Sequence, residues 1–389
     1  MFLSHRRRPG CGREGLQSRG CLSMTSSGRS YTLYRHPLLN AKATVPQGRT
    51  SIRVSGLLSH LPMIQSALQM FDRQIPVRHD EQLSFSTWIP PVPSRAFDRL
   101  AKSRIKAILG VRTPDQVTIS ITEECPNHCA HCALPNSGKK LRLMPETVKD
   151  IIGQILDLGT TLVIFDGGEP ALYRELPGLV ASVDDRAIST MFTSGAGFSR
   201  DLAHQLKQAG LYAVNVSLDS PLPEEHDAMR GRCGVFQDAM DAAKNALDAG
   251  LLVNLYVVLR RENMRHLQEF HDLAKRTGAH ELTFFEVVPT GRWSERRDIA
   301  LSPLDHAQLD GFVSRADAPR IFSVPDAYKR FGCFAANSWM HVTPAGEVYP
   351  CSCFPQSWGS VFKEPLGKIW QRMGRFPYKG NKSCPMRMI

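Results

Sequence analysis

The chain has 389 residues, 42% hydrophobic and 22% charged, the balance of an ordinary globular protein of two or three domains. No run approaches 18 consecutive apolar residues, so no transmembrane helix is expected. The formal net charge is +11, but residues 1–60 hold ten Lys and Arg against the single acid Glu14, which leaves the remainder nearly neutral and gives no reason to expect a nucleic-acid partner.

Ten cysteines in a chain this long do not make a small disulfide scaffold. Cys125, Cys129 and Cys132 fall within eight residues, and Cys333, Cys351, Cys353 and Cys384 gather toward the end. Such bunching suits a metal or iron–sulfur site in a reducing compartment, hence a cytoplasmic protein.

Residues 1–53 are rich in Arg, Ser and Gly and read as a disordered or non-native extension. Acid-poor, Arg-rich ends also describe organellar transit peptides. The preferred reading is a start assigned too early, with Met24 or Met63 as the true one. Residues 54–112 form a helical N-terminal region. Leu57, Leu58, Leu61, Ile64, Leu68 and Phe71 predict a helix over 56–72, and Pro90, Pro91 and Pro93 predict a linker. A second helix over 94–109 sets Phe97, Leu100, Ala101, Ile105 and Ile108 on one face and Arg95, Arg99, Lys102, Arg104 and Lys106 around the rest. Its basic face would allow peripheral contact with anionic lipid. The simpler reading packs it on the next domain.

Residues 113–299 alternate strand and helix. Strands are predicted at 116–122, 160–165, 188–193, 211–218, 251–259 and 281–288. Helices are predicted at 145–158, 171–183, 199–209, 235–249 and 263–277. Gly159, Gly210, Gly250 and Gly278 sit where helices should end. Repeated βα units with apolar strands predict an α/β fold, a parallel sheet curved into a partial (β/α)6 barrel with its chemistry at the C-terminal strand ends. Residues 300–389 lose this rhythm and read as a small cysteine-rich module.

Cys125-Pro-Asn-His-Cys129-Ala-His-Cys132 follows the first barrel strand. Thiolates are soft ligands suited to iron–sulfur clusters and zinc. Three in one short loop can hold a cluster and leave one iron open, the arrangement a substrate-binding metal requires. Structural zinc with His128 or His131 as fourth ligand is the alternative. After the second strand comes Asp166-Gly167-Gly168-Glu169-Pro170. Its glycines permit close backbone approach to a ligand, and Glu169 can accept from an ammonium group.

With both motifs in place, residues 115–300 resemble the radical S-adenosylmethionine (SAM) enzymes. The resemblance implies that Cys125, Cys129 and Cys132 hold a [4Fe–4S] cluster whose open iron is chelated by SAM, and that Gly167, Gly168 and Glu169 bind the methionine amino end. Reductive cleavage of SAM would yield a 5′-deoxyadenosyl radical that abstracts hydrogen from a substrate. The electron would come from a donor such as flavodoxin or ferredoxin. Ser194, ending the third strand, matches a polar position that contacts the SAM ribose, and Ser217, ending the fourth, stands at the right end for SAM or substrate. Ser194 and Asp219 could equally cap helices. Arg230 matches an arginine that pairs with the SAM carboxylate. His131 stands where an aromatic residue is usual and can stack on adenine.

The tail spaces Cys333, twelve residues, Gly346, four residues and Cys351, with Cys353 and Cys384 following. Gly346 fits a hairpin turn that would bring Cys333 and Cys351 together. This resembles the auxiliary-cluster modules called SPASM and twitch. Four cysteines imply a second [4Fe–4S] cluster, with Cys353 either a ligand or spare, and four-cysteine zinc as the alternative. Cys233 is expected as a lone thiol. The whole reads as a radical SAM enzyme acting on a peptide or protein. A membrane lipid, tetrapyrrole or aminocyclitol is the alternative substrate, and a non-catalytic iron–sulfur or zinc scaffold the alternative of another class.

Overall fold

In the computed structural model, which describes residues 29–69, 71–79, 81–134 and 138–387, the first described segment is an antiparallel sheet. Strands β1 (Tyr31–His36), β2 (Leu39–Thr44) and β3 (Ser51–Ser55) pair in sequence order. This corrects the expectation of an unstructured segment through residue 53; residues 1–28 lie outside the described residues. The cause is period-two burial: Tyr31, Leu33, Ala41 and Ala43 point inward with Phe71, Phe85, Val92 and Phe97. The predicted proline linker is also folded. After β4 (Val77–His79) and β5 (Gln82–Ser84), Leu83 and Val92 exchange backbone hydrogen bonds of 2.8 and 2.9 Å, and Pro90 and Pro91 are buried.

The basic helix forms over Arg95–Ile108, with the Ser94 hydroxyl accepting from Phe97 N–H at its start. The start of its apolar face is buried, with Ala96 and Phe97 inside and Phe97 edge-on to Phe71 at 5.8 Å. Its cations bind the barrel: Arg95 pairs with Asp185 at 2.8 Å, Arg99 reaches the Leu156 carbonyl at 2.6 Å, and Arg104 pairs with Asp115. The helix therefore packs on the neighbouring domain. Among the described residues no helix is long and apolar enough to cross a membrane.

Six parallel strands follow in spatial as well as sequence order: β6 (Gln116–Ser120), β7 (Leu162–Asp166), β8 (Ile188–Thr193), β9 (Ala213–Leu218), β10 (Leu252–Leu259) and β11 (Glu281–Glu286). Helices Pro145–Leu158, Arg200–Gln208, Val235–Asp248 and Leu267–Thr277 cover the outer face. There Val117, Ile119, Val214, Val216, Val253 and Leu255 join Ile151, Ile155, Ala243 and Phe270 in the main core. Gly159 ends the first of these helices at φ +107, where a Cβ would also meet the Thr113 side chain at 2.6 Å.

The sheet stays open and gains strands at both ends from the tail. Strand β12 (Arg320–Ser323) runs parallel beside β11. Strand β13 (Trp339–Val342) runs parallel beside β6, with β14 (Val348–Tyr349) antiparallel at the edge. Residues 300–389, read from sequence as a small separate module, thus add strands to both edges of the barrel sheet.

Alternate strand residues face the lumen and are polar near the N-terminal ends. Asn254 Nδ2 donates to Asn215 and Thr283 at 2.9 Å each. Glu281 accepts from the Ser86 hydroxyl, Thr87 N–H and Thr87 hydroxyl at 2.6–3.0 Å, and Arg320 lies 3.3 Å away. Trp88 donates to Thr283 at 3.1 Å. Residues 86–88 therefore plug this end of the lumen.

Candidate active site

The cysteine loop is held on two sides. On one, helix Pro223–Arg230, which sequence periodicity did not reveal, accepts His128 N–H at the Arg230 carbonyl and Ala130 N–H at the Met229 carbonyl, both at 2.9 Å. On the other, Arg292 donates its N–H to the Cys132 carbonyl at 3.0 Å and Nη1 to the Cys129 carbonyl at 3.1 Å. Gly291 permits this approach, since a Cβ there would lie 2.1 Å from the Cys132 oxygen. The three thiols are half-buried. Burial pushes the Cys125 thiol up to about 11 and raises Cys132 as well.

His128 is exposed, and His131 turns Nε2 to Asp219 at 3.4 Å and sets its ring 5.5 Å from Trp293. Among the described residues no three His, Cys, Asp or Glu side chains stand close enough to share one metal ion. A cluster asks for something different, soft thiolates distributed over several irons. Three thiols on a loop whose backbone is fixed by its neighbours supply that donor set.

The Gly-Gly-Glu turn interlocks with the same loop. Gly168 N–H donates to the Thr122 carbonyl at 2.6 Å and Glu169 N–H to the Glu124 carbonyl at 2.7 Å. A Cβ on Gly167 would lie 2.5 Å from the Thr122 oxygen, and one on Gly168 2.2 Å from the Glu124 oxygen. The close approach that requires glycine is thus to the cysteine loop itself. Glu169 differs from expectation too. Its fully buried carboxylate already accepts from the Thr193 hydroxyl (2.8 Å), Ser194 N–H (2.8 Å), Ser194 hydroxyl (2.6 Å) and Ala171 N–H (3.2 Å). Four donors fill its four strong acceptor positions. Glu169 ties the ends of β7 and β8 together. The Gly167 and Gly168 carbonyls, by contrast, accept no hydrogen bond among the described residues, so this turn can still receive an ammonium group. Ser194 in turn accepts from Asn127 at 2.8 Å, joining the cysteine loop to this network. Ser217 lies in β9 opposite Tyr256, half-exposed.

Beyond β9 stands a buried charge cluster. Asp219 Oδ2 meets Arg230 Nε at 2.6 Å, and Arg230 Nη1 reaches the Cys129 sulfur at 3.9 Å. Burial alone would raise the Asp219 carboxyl, but Arg230, His131, His226 and Arg260 hold it down at about 2. His226 Nδ1 accepts Asp219 N–H at 3.1 Å, and burial lowers that imidazole to about 4. Arg230, expected at a SAM carboxylate, has Nε and Nη1 already engaged.

The four tail cysteines are all buried. Thr343 and Glu347 close a hairpin around Gly346 at φ +75. Ala336 N–H then reaches the Pro350 carbonyl at 3.0 Å, and Cys333 N–H the Asn381 carbonyl at 2.6 Å. These contacts draw separate segments together around Tyr328, whose hydroxyl is raised by burial and then by Cys384, Cys353, Cys333 and Cys351. Burial pushes Cys333 up to about 11 and raises Cys384. Cys353 donates to Cys351, raising the first thiol and lowering the second. Cys233 is an exposed free thiol. The tail is clamped to the barrel by Arg387, whose two terminal nitrogens meet Glu286 at 2.8 Å each.

The lumen also carries an aromatic stretch not anticipated from sequence. Tyr256 packs against Phe192 (4.8 Å), Trp88 (5.9 Å) and Phe285 (6.0 Å). Its hydroxyl is raised by burial and then by Cys353 and Asp166. Burial and nearby Glu169 push Asp166 up to about 6 against the Gly167 N–H.

Residues 119–274 match the model of the radical SAM superfamily, and residues 333–385 match that of the SPASM iron–sulfur cluster-binding domain. The PqqA peptide cyclase of Rhizobium meliloti is 28% identical over 70% of this chain and 78% of its own length. The AdoMet-dependent heme synthase of Nitratidesulfovibrio vulgaris is 24% identical over 69% and 81%. Among solved structures, Streptococcus suis SuiB bound to precursor peptide SuiA shares the fold with a TM-score of 0.59 at 17% identity, covering 72% of this chain and 69% of that one.

Proposed function

The chain belongs to the radical SAM superfamily and carries a C-terminal SPASM module, and from that premise we propose that it abstracts hydrogen from a peptide or protein substrate. Cys125, Cys129 and Cys132 would hold a [4Fe–4S] cluster with one iron left for SAM. When bound, this pair supplies a 5′-deoxyadenosyl radical by reductive cleavage of SAM. The Gly167 and Gly168 carbonyls would take the methionine ammonium, with Glu169 and Ser194 keeping that turn in register with the cysteine loop. Tyr256, Phe192 and Trp88 would seat the reacting residue and keep water away from it. Cys333, Cys351, Cys353 and Cys384 would hold an auxiliary [4Fe–4S] cluster on the far side, positioned to accept an electron or anchor the substrate.

The observation that carries this reading is the interlock of the Gly-Gly-Glu turn with the cysteine loop, two hydrogen bonds of 2.6 and 2.7 Å. The peptide class draws on the cyclase relatives and on the peptide-bound structural neighbour. A tetrapyrrole is the second reading, favoured by the heme synthase and Fe-coproporphyrin III synthase relatives. The engagement of Arg95, Arg99 and Arg104 with the barrel weighs against a lipid. Flavodoxin or ferredoxin would be the cytoplasmic electron donor.

The test is anaerobic reconstitution followed by iron counting and a 5′-deoxyadenosine assay. Dithionite and SAM should yield the nucleoside. A precursor peptide should accelerate its formation, whereas faster formation with iron-coproporphyrin III alone would select the second reading. Tight zinc with no nucleoside would leave the scaffold reading standing.

A further inference from the structure

A guanidinium next to a cysteine sulfur needs a reason to stay there. Arg230 is 9% exposed in its side chain, so its charge is costly without a partner. Asp219 supplies one: Oδ2 lies 2.6 Å from Nε, and the same planar fork carries Nη1 to within 3.9 Å of the Cys129 sulfur. Asp219 is itself immobilised. Its N–H donates to His226 at 3.1 Å, its carbonyl accepts from Asn263 at 3.1 Å and Arg260 at 3.4 Å, and Oδ1 faces His131 Nε2 at 3.4 Å. The backbone of the cysteine loop rests on the same residue, through His128 N–H and the Arg230 carbonyl at 2.9 Å. Loop, cation and carboxylate therefore form one rigid assembly.

We propose that Asp219 positions the Arg230 guanidinium on the Cys129 thiolate so that a fixed positive charge raises the reduction potential of the cluster held by this loop. The inference rests on the proposed cluster at Cys125, Cys129 and Cys132. Reduction adds a negative charge to a group already surrounded by thiolates. A donor and cation on one of those sulfurs favours the reduced form, and low polarity around the pair strengthens the effect. Asp219 acts through Arg230 and offsets part of its field. The two residues are therefore expected to shift the potential in opposite directions.

The experiment is a redox titration of the reconstituted full-length protein, followed by electron paramagnetic resonance. The loop cluster is identified as the signal that changes on adding SAM. Arg230→Gln should make its reduction about tenfold less favourable, a midpoint roughly 59 mV lower for a one-electron couple. Arg230→Lys should restore most of that loss. Asp219→Asn keeps the shape of the side chain beside Nε while deleting a negative charge, and should raise the midpoint. An Arg230→Gln midpoint equal to wild type at unchanged iron content overturns the proposal. So does an Asp219→Asn midpoint at or below wild type, which decides the matter if Arg230→Gln fails to take up iron. Iron content equal in wild type and Cys129→Ala would instead sink the cluster assignment beneath it.

Discussion

The two groups of cysteines follow opposite rules. Cys125, Cys129 and Cys132 lie in one short loop, half-buried, and Arg230 reaches the sulfur of Cys129. Cys333, Cys351, Cys353 and Cys384 come from separated segments, and all are buried. A site that must admit an exchangeable ligand keeps an open side, whereas a resident group is best enclosed. The contrast fits the proposed division, with the SAM chemistry at the loop and a supporting role for the tail.

The strongest way to break that division is to remove one thiol from each group. Cys129→Ala should lower iron from about eight to about four per chain and reduce 5′-deoxyadenosine to background. Cys351→Ala should lose similar iron yet still cleave SAM. Equal loss of cleavage in both would end the distinction. The next largest effect should come from the tail clamp. Arg387→Ala leaves Glu286, 6% exposed in its side chain, beside His306 but without its guanidinium. A loss of about 3 kcal/mol is expected, read as a lower denaturation midpoint with the loop thiols unaffected.

Acid should sharpen the same contrast. His341 hydrogen-bonds Ser120 at 2.8 Å and thereby joins the tail strand β13 to β6. Burial lowers it to about 4 from an ordinary value of 6.5. The folded protein thus keeps it neutral while the unfolded chain protonates near 6.5. Its contribution is complete above that pH and declines as pH falls toward 4, by at most about 3 kcal/mol. Thermal melts between pH 7.5 and 4.5 measure the slope, and His341→Gln should flatten it. The smallest effect belongs to Arg95→Ala. Its pair with Asp185 is 60% and 69% exposed, so stability should change by less than about 1 kcal/mol.

What sequence made visible was local or chemically reserved. Cys125, Cys129 and Cys132 declare a soft-metal site by residue type and spacing, and Gly167-Gly168-Glu169 marks the adjoining strand end. The six barrel strands followed from apolar runs ending at glycine-capped helices. The partners of each polar group were hidden. Nothing in sequence says that Glu169 is used by Thr193 and Ser194, or that Asp219, Arg230 and His131 meet, because those contacts exist only once β9 and its neighbours align. The N-terminal sheet was legible in Leu39-Asn-Ala-Lys-Ala-Thr, which alternates strictly. The basic composition around it masked the period. Trp88 was beyond reach, since a segment far upstream supplies it to the lumen.

The plug formed by Ser86, Thr87 and Trp88 beneath Tyr256 makes the lumen a cul-de-sac. A long polymer cannot be threaded through it end to end. On the peptide reading proposed above, a substrate whose reacting residue is internal would enter doubled back, as a hairpin bend presented tip-first, and retreat by the same doorway. Residues on either side of the tip would then bear on the rim, and flexibility of the substrate around its modified position would become a condition for turnover.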